Sequence, residues 1–133
     1  MGAWGTGSFD NDTALDWVFE LEKTDDLSLV ESTIESALDE EYIDSDIGAE
    51  VLVAIEVLAR LKGNFGKEDP YSKDADKWVK AHPLKVENPL LQKAKEAIDM
   101  ILGDKSELKE LWEEVDEYNA WSSEVLDLKD RLG

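Results

Sequence analysis

One segment of the chain limits its fold more than any other, because it is long, apolar and free of turn signals. Residues 46–63 read DIGAEVLVAIEVLARLKG, with apolar side chains on nearly every face of a helix. Its β-branched residues would also suit a strand, but a run of this length favours a helix. A helix that is apolar almost all round is enclosed by its neighbours. We therefore expect a central helix over about 46–62, begun by Asp46 and ended by Gly63.

Helical spacing of apolar residues recurs through the rest of the chain, and no strand pattern competes with it. The last segment, 106–132, fits one helix or two, and a bend near Asn119 is favoured because Asn and Ser are poor in helix interiors. The other predicted helices include one over about 10–23 and one over about 72–81. A helix that ends near Leu38 begins at Asp25, at Asp26 or at a Ser28/Glu31 capping box. A further helix runs to 102 from Asn88 as N-cap, with Pro89 in its first turn. We predict one all-α domain over residues 1–133, with five to seven helices packed around the central one.

The charge is large and unevenly distributed. The net charge is −19; residues 1–59 hold sixteen acids against Lys23 alone, giving −15, while residues 60–109 hold eleven bases against nine acids, giving +2, and residues 110–133 carry −6. Such a surface repels nucleic acid and anionic lipid, so neither is an expected partner. It can attract a basic protein or a cation, although solubility alone is the simpler explanation.

Three features that the sequence lacks exclude particular kinds of site and location. There is no cysteine, which excludes disulfides, thiolate metal sites and a cysteine nucleophile. No apolar run approaches the roughly 18 residues of a membrane span, and no signal-peptide pattern follows the start. We therefore expect a cytoplasmic protein that does not enter a membrane.

The chain opens on a glycine-rich stretch, GAWGTGSFDND at residues 2–12. Met1, Gly2 and Thr6 fit a loose myristoylation pattern, but no polybasic segment supports membrane attachment. A phosphate loop needs a preceding strand and usually a lysine, and neither is present. We expect residues 1–9 to form a terminal arm that docks Trp4 and Phe9 on the helices, with Asp10 as the helix cap. An undocked Trp4 would instead be an interface anchor.

Three carboxylates follow the arm within seven residues, at Asp10, Asp12 and Asp16. They do not fit a calcium-binding EF-hand loop, but a looser divalent-metal site could add Asp44 and Asp46. The ordinary interpretation is that these residues cap the helix, meet its dipole and face water. We expect no cofactor or metal, and keep open the alternative of a divalent-metal-dependent hydrolase or small-ligand-binding protein that uses Asp10, Asp12 and Asp16.

Glu56 lies within the most apolar helix, where a buried carboxylate needs a partner such as Arg60. Without one it would be a candidate general acid, although a paired structural carboxylate is more common. His82 is the only histidine, so a zinc site or catalytic triad is not expected. No catalytic residues are assigned. The candidate binding residues are Trp4, Asp10, Asn11, Asp12, Asp16 and Glu56.

The N-terminal stretch carries a pattern formed by Trp4, Gly5, Gly7, Phe9, Asn11, Asp12, Ala14, Asp16 and Trp17. In this pattern the chain resembles a family of small bacterial proteins known as domain of unknown function family 4259. The resemblance covers nearly the whole chain, including EEYIDSDIGAEVLVAIEVLARLKG, where Ile43 and Asp44 depart from the family's usual turn, and the segments WVKAHP and SELKELWEE. It implies a cytoplasmic bacterial protein and transfers no activity.

From these features we expect a non-enzymatic protein-interaction module whose acidic N-terminal half binds a basic protein. An immunity-like or antitoxin-like role suits a protein of this size and charge by analogy.

Overall fold

The computed structural model of the chain describes residues 5–66 and 70–133, and these form an all-α fold, as predicted. No strand occurs in the described ranges, although Ile43 and Ser106 form an isolated parallel bridge. The seven helices found there are α1 (Asp12–Leu21), α2 (Ser28–Leu38), α3 (Ser45–Leu61), α4 (Lys73–Ala81), α5 (Asn88–Ile101), α6 (Glu107–Glu113) and α7 (Tyr118–Arg131).

Helix α3 supplies much of the core. Twelve of its seventeen residues are buried, and it contacts each of the other six helices. It begins at Ser45, one residue earlier than predicted, because the carboxylate of Asp44, not that of Asp46, accepts the cap hydrogen bond from the Ile47 amide at 2.8 Å. Gly63 ends it with a φ of 87°, a left-handed conformation that suits glycine. The predicted stop is therefore confirmed.

The early cap of α3 follows from a contact with a distant segment. The Ile43 amide donates to the Lys105 carbonyl and the Ile43 carbonyl accepts from the Glu107 amide, both at 2.9 Å. These two hydrogen bonds hold the backbone just before Asp44 against the start of α6. Asp44 itself has the extended backbone of an N-cap, so its side chain meets the first free amides of the helix.

The start of α1 also differs from the prediction. Asn11 is the N-cap, since its side-chain oxygen accepts from the Ala14 amide at 2.8 Å. Asp10, the predicted cap, folds back and accepts from the Gly7 amide at 3.1 Å. The helix begins at Asp12 and ends at Leu21, so it is shorter than the predicted span of about 10–23. Asp12 does lie in its first turn, where its charge favours the helix dipole.

Three other helix boundaries differ from the prediction. Ser28 forms no capping box; its amide and hydroxyl both donate to Asp26, at 3.0 and 2.6 Å. The C-terminal segment does form two helices, but the break lies at residues 114–117, before Asn119 and not at it. Asn88 is the first residue of α5 and Glu87 its N-cap position, with Pro89 in the first turn as predicted.

Tryptophan side chains connect neighbouring helices, two of them through hydrogen bonds of their indole N–H groups and two through stacked rings. Trp17 on α1 donates to the Thr33 hydroxyl on α2, and Trp78 on α4 donates to the Thr24 carbonyl, both at 2.9 Å. Trp121 is buried, and its ring stacks on that of Trp112 at 6.5 Å between centroids. Trp4 lies outside the described residues, so its predicted docking stays a prediction.

The N-cap of α1 gives a direct test of this fold. We expect Asn11→Ala to lower the free energy of unfolding by about 1 kcal/mol, because the Ala14 amide loses its acceptor. Asn11→Asp keeps an acceptor and should cost far less. Chemical denaturation of both variants measures the difference; an equal loss for the two would contradict the cap.

Candidate functional site

The glycine-rich loop encloses a carboxylate of its own chain. A Cβ atom added at Gly5 or Gly7 would lie 2.5 or 2.9 Å from the Asp10 carboxylate oxygen, so a side chain at either position would collide with it. Asp10 thus occupies the space that a phosphate would need in a phosphate-binding loop. The two glycines allow the backbone to close around Asp10.

Phe9 connects this loop to the interior. Its side chain is buried, and its ring centroid lies 5.0 Å from the guanidinium carbon of Arg60. Phe65 approaches the same guanidinium group at 5.7 Å. Aromatic faces stabilise a cation at such distances, most strongly where water is excluded. Of the predicted arm, residues 5–9 are described, and they pack through Phe9 onto α3.

Beneath the loop lies a group of charged side chains from three helices, which we call the ionic cluster: Glu56, Arg60, Asp76, Asp127 and Arg131. Arg60 is only 2% exposed and bonds Glu56 at 2.6 Å and Asp76 at 2.5 Å. Arg131 binds both Glu56 oxygens, at 2.9 and 3.1 Å, and bonds Asp127 at 3.0 Å. The cluster therefore ties α3 to both α4 and α7.

The paired geometry determines what Glu56 can do. Both of its oxygens accept from guanidinium groups, and guanidinium groups stay charged in proteins. Burial by itself lowers the pKa of Arg131, but the hydrogen bonds and charges of Glu56 and Asp127 outweigh it, so the net shift is upward. This arrangement favours a structural role for Glu56 over the role of a general acid.

The sequence indicated Arg60 as a partner for Glu56 but gave no sign of Arg131, which lies 75 residues further along the chain. In the structure, Gly66 leaves room for this side chain, because a Cβ atom there would lie 2.6 Å from the Arg131 guanidinium carbon.

A cleft of about 100 Å³ lies between the ionic cluster and the glycine-rich loop, and its lining includes Asp10 and Glu124. Because its arginines are already paired, we assign it no anionic ligand.

The carboxylates of the suggested metal site make separate contacts within the chain or are exposed to solvent. Asp10 bonds the Gly7 amide, Asp46 accepts from the Thr13 hydroxyl at 3.3 Å, and Asp12 and Asp16 are exposed on α1. Within residues 5–66 and 70–133, no three His, Asp or Glu side chains converge as metal ligands would. His82 stacks on Trp78, and its Nε2 atom lies 3.1 Å from Asp25.

Comparison with known proteins bears on the whole chain. A family model described as "Domain of unknown function (DUF4259)" matches residues 2–124. The chain belongs to this family. Neither the search of curated proteins nor that of solved structures gave a match. The described part of this DUF4259 protein also contains no helix with the length and apolarity needed to cross a membrane.

Glu50 on α3 is a titratable residue that the sequence did not single out. Burial raises the pKa of its carboxyl, and the negative charges of Asp46 and Asp44 raise it further. All three side chains belong to the acidic half of the DUF4259 chain. The two neighbouring carboxylates therefore disfavour the ionised form of Glu50, in addition to the larger effect of burial.

Removing Glu56 should reveal the energetic importance of the ionic cluster. We expect Glu56→Ala to lower the free energy of unfolding by about 3 kcal/mol, because the buried guanidinium group of Arg60 and the partly buried one of Arg131 lose a carboxylate. The matched control is Asp99→Ala, which breaks the more exposed Lys129–Asp99 pair and should cost about 0.5 kcal/mol or less. Similar losses in urea denaturation would contradict a stabilising cluster.

The raised pKa of Glu50 predicts a pH-dependent effect on stability. The folded protein holds this proton more tightly than the unfolded chain does, so the ionised form opposes folding. That penalty is absent below the ordinary value of 4.5 and complete above the raised folded value. Glu50→Gln should therefore raise Tm at pH 7 and leave it nearly unchanged at pH 4, as measured by circular dichroism. The exposed Glu124→Gln is the control, and equal rises at both pH values would contradict the assignment.

Proposed function

We propose that this DUF4259 protein is a non-enzymatic interaction module of the cytoplasm that binds a basic protein through its acidic face, the exposed surface of residues 12–44, which comprises α1, α2 and the segments that follow them. The observation that carries the proposal is the excess of unpaired carboxylates on this face. Its described ion pairs are those of Glu20 with Lys23 and Glu35 with Lys93, and Asp25 lies 3.1 Å from the Nε2 atom of His82. Other exposed acids from α1 to the start of α3 have no ion pair among the described residues: Asp12, Asp16, Glu22, Glu31, Asp39, Glu40, Glu41 and Asp44.

Physical reasoning supports a protein as the partner. Exposed like charges create a field that accelerates association with a basic surface and opposes binding of nucleic acid. A surplus of like charge costs some stability through self-repulsion. A basic partner would relieve this repulsion, so binding and charge are thermodynamically linked.

A narrower form of the proposal is an immunity-like or antitoxin-like role, in which the partner is a basic toxin. It is supported by size and charge alone, and the identity of the partner decides it.

The test compares two variants with the same change in charge. The first replaces Glu31, Asp39, Glu40 and Glu41 by the corresponding amides. The control does the same at Glu114, Asp116, Glu117 and Asp130, which are also exposed but belong to the C-terminal segment. Affinity purification from cells of the source organism, with identification by mass spectrometry, supplies the partner; calorimetry then measures its Kd with each variant.

We expect one identified basic protein whose affinity falls about tenfold in the first variant and changes little in the control, with binding that weakens as salt rises. Equal losses in both variants would reduce the effect to net charge and contradict the assigned face. A partner that binds the first variant as tightly as the unchanged protein would contradict it as well.

A further inference from the structure

A shallow groove of about 330 Å³ runs between α1 and residues 70–74. Its apolar wall contains two exposed aromatic residues, Phe19 at 60% and Tyr71 at 44% exposure, together with Leu15. Aromatic side chains exposed in this way are enriched in protein interfaces and often anchor them. We call this feature the α1 groove; its rim carries the carboxylates of Asp16, Glu22 and Asp74.

The helical repeat explains how α1 builds this wall. Ala14, Trp17, Val18 and Leu21 form the buried face of the helix. Leu15, Phe19 and Glu22 follow each other at spacings of four and three residues, so they share a second face that turns toward residues 70–74. Phe19 is therefore not needed to fill the core.

The rim gives the groove a definite charge preference. Asp16, Glu22 and Asp74 are exposed, and none has a side-chain hydrogen bond or ion pair with another described residue. Three carboxylates around an apolar wall complement a side chain with an apolar stem and a cationic tip. The Lys23 ammonium lies 4.6 Å from the Phe19 ring centroid, so an arginine stem would pack on the part of this 60% exposed side chain that Lys23 leaves open.

We propose that the α1 groove binds an arginine side chain of a basic protein segment. The guanidinium group suits this site better than an ammonium group, because it stacks on aromatic faces and forms paired hydrogen bonds with carboxylates. In this arrangement the arginine stem packs against Phe19 and Tyr71 while the guanidinium group meets Asp16 and Asp74. The inference rests on the proposed function, which it deepens by naming the part of the acidic face that selects the partner.

The test uses two fluorescein-labelled peptides of equal charge, one alternating arginine with glycine and the other lysine with glycine. Fluorescence anisotropy at 0.15 M salt measures both affinities. We expect the arginine peptide to bind about fivefold tighter than the lysine peptide, and Phe19→Ala to remove that preference. Phe19→Tyr keeps an aromatic face and should retain it.

Two controls separate the groove from the acidic surface as a whole. Leu126→Ala removes another large exposed apolar side chain, on α7, and should change neither affinity. The amide variant at Glu31, Asp39, Glu40 and Glu41 should weaken both peptides alike and preserve their ratio. Circular dichroism and Tm establish that Phe19→Ala is folded, as expected for an exposed position.

The outcomes distinguish this inference from the proposed function. If Phe19→Ala leaves the ratio of affinities unchanged while the amide variant weakens both peptides, the groove is not the arginine site and the acidic-face proposal stands. A lysine peptide that binds as tightly as the arginine peptide also overturns the groove assignment. Failure of both peptides to bind the unchanged protein overturns it too, and the identified partner then tests the proposed function separately.

Discussion

The pairing of Glu56 with Arg60 and Arg131 is the constraint on which the rest of the structure depends. It places charges inside the most apolar helix, where an unpaired charge would be very costly. The cost is offset only if α4 brings Asp76 and α7 brings Arg131 into contact with α3. The ionic cluster thus fixes where two helices dock, while the apolar contacts around it supply most of the stabilisation.

The glycine-rich loop depends on the same cluster. Phe9 lies against the Arg60 guanidinium group, and the loop that carries it closes around the Asp10 carboxylate. Asn11 then begins α1, so this short stretch connects the ionic cluster to the acidic face. Asp10 was a candidate metal ligand and Asn11 a candidate binding residue, but in the fold both make contacts within the chain. The interaction surface that we propose lies on the exposed side of the helix that they start.

The candidate site was only partly predictable, and particular residues show why. The acidity of residues 1–59 and the exposure of Asp12 and Asp16 follow from composition and helical period. Phe19 gave no signal, because a single apolar residue outside the buried stripe of a helix is ordinary. The exposure of Phe19 becomes informative only in the fold, where Tyr71, about fifty residues further along the chain, lines the same α1 groove. Grooves between distant segments have no local sequence pattern, so the sequence alone pointed instead to carboxylates that are close in the chain.

The sequence by itself determined the all-α class, the positions of most helices, the stop at Gly63 and the division of charge, because these depend on local periodicity, backbone conformation and composition. Only the tertiary structure decided which of two neighbouring residues caps a helix. Asn11 replaces Asp10 and Asp44 replaces Asp46, since the loop around Gly7 and the bridge at Ile43 fix the backbone there. It alone paired Glu56 with Arg131, because contacts across 75 residues arise when helices pack and not when they form.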